Sequence, residues 1–291
     1  MIHLSGKGLV KVKKDPRDYQ LMGARPGGVS VDFTKEFRLP EPPDEDQGSS
    51  LSCTWQGFSY YFWQWTGIQL SRQDGYSQTV LPGGGGYAVD PYKKMKQGCF
   101  TRLQHQDPNP ETEANMTVLV KIGDTRRAFN VTFWQPQDMS IDGIAWAISN
   151  YKGCTICIDG YNGQQDWTKP EPPSKQHPSE WSHMLYAMGY GMVDGQKAIL
   201  CKSSWCGWVK YHWIKENYFT SGSVFAPYVM ETKEMANPFV ELINNKGKVG
   251  VITYIDVPEN LVYESKKYGI DLPKKTDGSI DWDKVQYGVK L

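Results

Sequence analysis

The stretch DQGSSLSCTW, residues 46–55, decides the fold, because the chain changes character inside it. On its N-terminal side, LPEPPDEDQG (39–48) is rich in proline and acid. Proline lacks an N–H and clashes with the preceding turn, so this segment cannot be helix interior. On its C-terminal side, Trp55, Phe58, Tyr61, Phe62 and Trp65 recur at intervals of three and four, the spacing of a buried helix face. Cys53 therefore stands at a loop-to-helix junction. Backbone N–H groups at a helix N-terminus favour negative charge, so a thiol placed there is expected to have a lowered pKa, although a cysteine without further context is more often a core residue. Gln47, six residues upstream, is placed so that its amide can donate to a developing oxyanion.

Outward from this junction the elements fall into an order. Residues 1–27 form a basic, turn-rich arm, and VSVDF (29–33) a short extended lead-in. LPGGGGY (81–87) is a glycine loop, and AVDPYKKMKQG (88–98) a short helix stopped by Gly98. RAFNVTFW (127–134) reads as a strand, IDGIAWAISNYKG (141–153) as a helix with a glycine stop, and CTICIDGY (154–161) as a strand. Residues 183–192 and 197–202 are apolar strands joined by a turn at Asp194-Gly195. Further on, KVGVITYID (248–256) reads as a strand. PENLVYESKKYG (258–269) reads as a helix with proline first and glycine last, followed by a polar tail. A helix-rich first half followed by a strand-rich second half predicts an α+β fold rather than a doubly wound sheet. The expected organisation is an arm (1–45), a main domain (46–228) and a small C-terminal α/β extension (229–291).

The block around Cys53 resembles the DQG-x-x-G-S-C-T-A segment of papain-like cysteine peptidases, in particular their bacterial and phage branch. Asp46, Gln47, Gly48, Ser52, Cys53 and Thr54 match it. Further blocks follow in the family's order: LSRQDGY (70–76), GGY (85–87), KKMKQGC (93–99), SHMLYAMGYG (182–191, resembling GHAVxxVGYG) and AILCKSSWCGW (198–208, resembling xxIKNSWGxxWG). His183 lies 130 residues after Cys53, inside the roughly 130–150 expected between nucleophile and base. The resemblance implies a two-lobed fold, helical on one side and β-barrel-like on the other. It assigns Cys53 as nucleophile, His183 as general base, and Gln47 with the Cys53 amide as oxyanion hole. Gly85 and Gly86 become a ledge for an extended peptide, with Trp205 lining the same cleft. No cofactor is implied, and the substrate is a peptide or isopeptide bond.

The sequence also departs from the family. Ser203 stands where an Asn orients the base; a hydroxyl can accept the imidazole N–H but is shorter and rotates freely. Because general-base catalysis contributes roughly 10²–10⁴-fold, Ser203 predicts a slower enzyme, not a dead one. Leu51 replaces a glycine, Trp55 and Gln56 replace small helix residues, Trp181-Ser182 precede the histidine in place of Gly-Gly, and Cys206 replaces a glycine; together they predict a crowded cleft. No propeptide is expected from the short stretch before Gln47. A second reading follows: a papain-like module without turnover, serving as a structural or binding part of a larger assembly such as a phage virion, with residues 229–291 as the contact.

Other clusters are plainer. Cys154-x-x-Cys157 with Cys201 and Cys206 invites a zinc site, but strand residues three apart point to opposite faces and chelate one metal poorly. Cys99, Cys154, Cys157 and Cys201 are expected as small buried hydrophobes. Gly83–Gly86 lack the GxxxxGK[ST] context of a phosphate loop. His3, His105 and His212 read as surface or packing residues, with His177 a rival to His183. Asp277, Asp281 and Asp283 lack calcium-loop spacing.

Lys+Arg and Asp+Glu balance at 32 each, so nothing in the charge favours nucleic acid or an anionic membrane. No apolar run approaches the ~20 residues that span a bilayer, and the first residues lack the apolar core of a signal peptide. Synthesis in a reducing cytoplasm is expected, and six dispersed cysteines do not read as a disulfide framework.

Overall fold

The computed structural model describes residues 8–10, 30–124, 126–136, 138–160, 167, 170, 181–206, 209–234, 239–244, 247–252, 274, 276 and 287–288. The chain divides into two compact units, Met1–Thr232 and Lys233–Leu291.

In the first unit the elements are β1 (Leu9–Val10), β2 (Phe37–Arg38), α1 (Cys53–Thr66), α2 (Arg72–Ser77), β3 (Gly86–Tyr87), α3 (Asp90–Lys94), α4 (Glu113–Met116) and β4 (Phe129–Trp134). There follow α5 (Ile141–Asn150), β5 (Cys154–Gly160), β6 (Trp181–Val193), β7 (Gln196–Lys202), β8 (Tyr211–Lys215), α6 (Glu216–Thr220) and β9 (Val224–Glu234). The main sheet runs β4-β9-β5-β6-β7-β8, with β2 also pairing with β6. The second unit contains β10 (Phe239–Asn244), β11 (Gly247–Ile252) and β12 (Tyr287–Gly288), an antiparallel sheet in the order β11-β10-β12. The helix expected at 258–269, the polar tail apart from Lys274 and Thr276, His3 and His177 lie outside the described residues.

The expected elements form where local chemistry demands them. Helix α1 ends at Gly67, whose φ of 69° is left-handed and whose N–H reaches the Trp63 carbonyl at 2.7 Å. Ser140 caps α5 by accepting the Gly143 N–H. Asp194 and Gly195, at φ 49° and 73°, supply the two positive φ values that a tight hairpin between β6 and β7 needs.

Strand β6 separates two cores by its alternation. Met184, Tyr186 and Met188 join one core with Trp55, Phe58, Tyr61 and Phe62 of α1, and with Tyr92 and Phe129. Leu185 and Ala187 join the other, with Ile144 and Ile148 of α5, Ile156 of β5 and Ile199 of β7. Cys157 belongs to the first core and Cys154 and Cys201 to the second, so the Cys-x-x-Cys pair straddles the sheet. The mixed helix-and-sheet architecture is the α+β class that the order of elements predicts. Strand β9, long and running through the 228/229 boundary, is what the sequence reading did not anticipate.

Candidate active site

Two walls meet at Cys53. The first is the loop leading into α1. Loop 39–48 is pinned to the sheet: the Leu39 N–H donates to the Met188 carbonyl, the Gln47 N–H to the Ser204 carbonyl at 2.8 Å, and the buried Lys202 ammonium pairs with Glu41 and Asp44. Ser50 and Ser52 hydroxyls bond each other at 2.7 Å, and Gln56 Nε2 donates to Ser52 Oγ and, at 2.6 Å, to Glu111 Oε2. Glu111 in turn meets the buried Arg72 at 2.6 Å, which also pairs with Glu45 and Asp107. Burial pushes the Glu111 carboxyl up to about 7 despite the Arg72 charge. The loop before the nucleophile is thus held by a buried ionic network.

Cys53 opens α1 and is fully buried. Backbone N–H groups of Met184, Thr54 and Cys53 favour its thiolate, yet burial dominates and, with the Glu113 carboxylate, pushes the thiol up to about 12. The expected lowering by the helix N-terminus is therefore reversed here. Desolvation of a charge outweighs a few oriented dipoles. The Met184 contact fixes the sulfur beside β6 at the residue following His183.

The second wall is β6 with β7 and its continuation. His183 is fully buried and stacks face to face on Trp205, ring centroids 4.2 Å apart and planes 14° from parallel. Trp167, Trp181 and His212 surround Trp205 at ring distances of 6.0 to 6.5 Å. Neither His183 nitrogen has a hydrogen-bond partner among the described residues. Burial, with His212 nearby, brings its pKa down to about 3, so the imidazole is neutral. Ser203 does not orient it: the Ser203 hydroxyl accepts the Trp205 N–H at 3.0 Å instead. Trp205, 3% exposed, packs on the imidazole and presents little surface to a ligand. His212, read from sequence as packing, sits in this same cluster, and no spacing rule singled it out.

Gln47 is buried, its Oε1 accepting from Ser204 at 2.5 Å and its Nε2 donating to the Ser50 carbonyl at 2.9 Å. The Ser204 bond fixes which end of the amide is the donor. Of the residues expected to crowd the cleft, Trp55 faces away and packs on Gly75, its indole donating to Thr79 at 2.8 Å. Gln56 is spent on Ser52 and Glu111, and Ser182 donates to Asp159 at 2.7 Å. Leu51 is the one at the ledge, its side chain against Gly84.

The glycine ledge carries an occupant. Strand β1 pairs in parallel with β3, Leu9 opposite Gly86 and Val10 opposite Tyr87, and the Gly86 N–H donates to the Gly8 carbonyl at 2.7 Å. Leu9 is 7% exposed and joins the core cluster that contains Cys53. Residues 8–10, part of a stretch expected to be too short for an inhibitory role, lie along the ledge where an extended peptide was expected.

No family model matches the chain, and no curated protein matches it by sequence. Solved structures do match by fold. Xylellain, a cysteine protease from Xylella fastidiosa, superposes with a TM-score of 0.59 at 17% identity, covering 79% of this chain and 97% of that one. The cysteine protease and lectin-like domains of Cwp84, a surface-layer-associated protein of Clostridium difficile, give 0.56 at 15% identity, over 73% of this chain and 55% of that one. A mite allergen structure, from work on Blo t 1 and Der p 1, gives 0.51 at 14% identity, over 72% and 74%. The architecture around Cys53 and His183 is therefore the papain-like cysteine protease fold.

Proposed function

We propose that this chain is a papain-like cysteine peptidase seen in a closed state, acting on peptide or isopeptide bonds. One observation carries the reading. The Cys53 sulfur, at the N-terminus of α1, is met by the backbone N–H of Met184, so the nucleophile's helix and the base's strand converge at adjacent residues. In the reaction the thiol proton passes to His183 and the sulfur attacks the carbonyl carbon. The oxyanion is held by the Cys53 N–H and the Gln47 amide, and the amine leaves with the proton from His183. Water, deprotonated by His183, then cleaves the thioester and regenerates the thiol. Catalysis in this scheme requires the imidazole to turn from Trp205 towards the sulfur and the arm to leave the ledge. The bacterial and phage affinity of the sequence motifs fits this reading.

A second reading, a module without turnover in a larger assembly, is favoured by one feature: the His183 ring is neutral, stacked and without hydrogen bonds. Peptide-library cleavage with a Cys53→Ala control tests the first reading. Cleavage that vanishes in Cys53→Ala and falls at least roughly 10²-fold in His183→Ala supports it. Cleavage indifferent to both substitutions, or none even after the arm is displaced, establishes the second.

A further inference from the structure

The position that Gly8 occupies is a slot between two jaws. One jaw is the backbone of Leu51: a Cβ on Gly8 would run into the Leu51 carbonyl oxygen, well inside van der Waals contact. The other is Gly85, at φ 76°, where a Cβ would strike the Gly8 carbonyl. Neither jaw can yield by rotating a side chain, because the colliding atoms are backbone.

The separation of the jaws is set by a continuous chain of hydrogen bonds. The Leu51 N–H donates to Glu113 Oε2 at 2.7 Å, and the Tyr76 hydroxyl donates to Glu113 Oε1 at 2.7 Å. The Gly85 N–H donates to that same Tyr76 oxygen at 2.7 Å. One carboxylate thus braces both sides. Its charge beside a nucleophilic thiol opposes thiolate formation, a cost that makes sense if the carboxylate serves another purpose. Beyond the slot, the next residue of the strand, Leu9, is buried in the core cluster that contains Cys53, and Val10 turns outward at 37% exposure.

We propose that the cleft selects for glycine: it takes a peptide strand with a residue lacking Cβ between Leu51 and Gly85, followed by an apolar side chain, with Glu113 and Tyr76 as positioning residues that fix the slot. That such peptides are substrates rests on the peptidase reading; that they bind does not. The N-terminal segment Gly8-Leu9-Val10 is the ligand of this pattern that the chain itself supplies.

The test uses the full chain carrying Gly8→Ala, in which the added Cβ expels the arm. Alkylation of Cys53 by iodoacetamide, quantified by mass spectrometry, is expected to rise at least roughly tenfold over the parent chain. Added in trans, the peptide SGKGLVKV (residues 5–12) restores protection. The same peptide with Gly8→Ala needs at least roughly tenfold more for equal protection. In the Gly8→Ala chain, Glu113→Gln or Tyr76→Phe should shrink this glycine preference to below about threefold. The peptide comparison alters nothing in the cleft, so misfolding of a brace variant cannot mask the answer. Equal protection by the two peptides, protection by neither, or unchanged alkylation in Gly8→Ala overturns the proposal. Protection without hydrolysis sinks the peptidase reading and leaves the slot standing; hydrolysis of both peptides at equal rates does the reverse.

Discussion

The wall that carries Cys53 and the wall that carries His183 are built on opposite principles. The loop before Cys53 is held by directional contacts, the hydroxyls of Ser50 and Ser52, the Gln56 amide, and Arg72 among Glu45, Asp107 and Glu111, while Cys53 itself lies in an apolar cluster. Around His183 the contacts are ring faces and edges, and the imidazole nitrogens bond nothing among the described residues. Hydrogen bonds fix position to fractions of an ångström, whereas stacked rings slide and turn at little cost. In the peptidase reading, the group proposed as nucleophile is held in place and the group proposed as base is stacked away from any hydrogen bond, so the imidazole is the one that has to move.

The largest test of this contrast is Arg72→Ala. It leaves the buried Glu111 without its cation and Asp107 and Glu45 with Arg102 alone, and should cost about 3–5 kcal/mol in urea denaturation. A loss under about 1 kcal/mol would mean that the ionic network does not hold that wall. Trp205→Ala removes the stacking partner of His183 and opens a cavity, with an expected loss of about 3 kcal/mol.

A pH series sharpens the comparison further, because one buried group on each wall titrates in opposite senses. His183, brought down to about 3, stays neutral in the folded chain while the unfolded chain takes up a proton below its ordinary value. Stability should therefore fall as pH drops from about 6.5, with a limiting slope of about 1.4 kcal/mol per pH unit. Glu111, raised to about 7, is protonated in the folded chain between its ordinary value and 7, so its contribution is lost as pH rises through that window. His183→Gln should flatten the acid-side fall and Glu111→Gln should steepen it. Denaturation curves at pH 5 and 7 that leave both variants parallel to the parent would contradict these assignments.

The smallest expected effect is Ser203→Asn. In the Gly8→Ala background, a longer side chain with a carbonyl offers the imidazole the acceptor it lacks. Cys53 alkylation at neutral pH should rise by about threefold to tenfold. A decrease would mean that the Ser203 bond to the Trp205 N–H matters more than any partner for His183.

Much of this was legible in the sequence, and the rest was hidden for a physical reason. The aromatic stripe from Trp55 to Trp65 and the Asp194-Gly195 turn are local signals, and both elements form where they point. Cys53, Gln47 and His183 are nominated by the order of motifs. Their surroundings could not be read, because burial is a property of the whole fold. The helix dipole acting on Cys53 is visible in ten residues, whereas the burial that overrides it is completed by a core cluster drawn from Leu9 to Met230. Glu113 and Tyr76 carry no motif, and only their hydrogen bonds to Leu51 and Gly85 reveal them. The parallel pairing of β1 with β3 involves two residues on each side, too short to leave a pattern.

The fit of Gly8 against Leu51 has a genetic corollary. Every other amino acid carries a Cβ, so no conservative replacement exists at this position. A single codon change there, to alanine or serine as much as to arginine, alters the arm in the same way. In the closed-state reading, latency kept by the absence of one methyl group is fragile to mutation, and chance variants at residue 8 should surface as constitutively open forms.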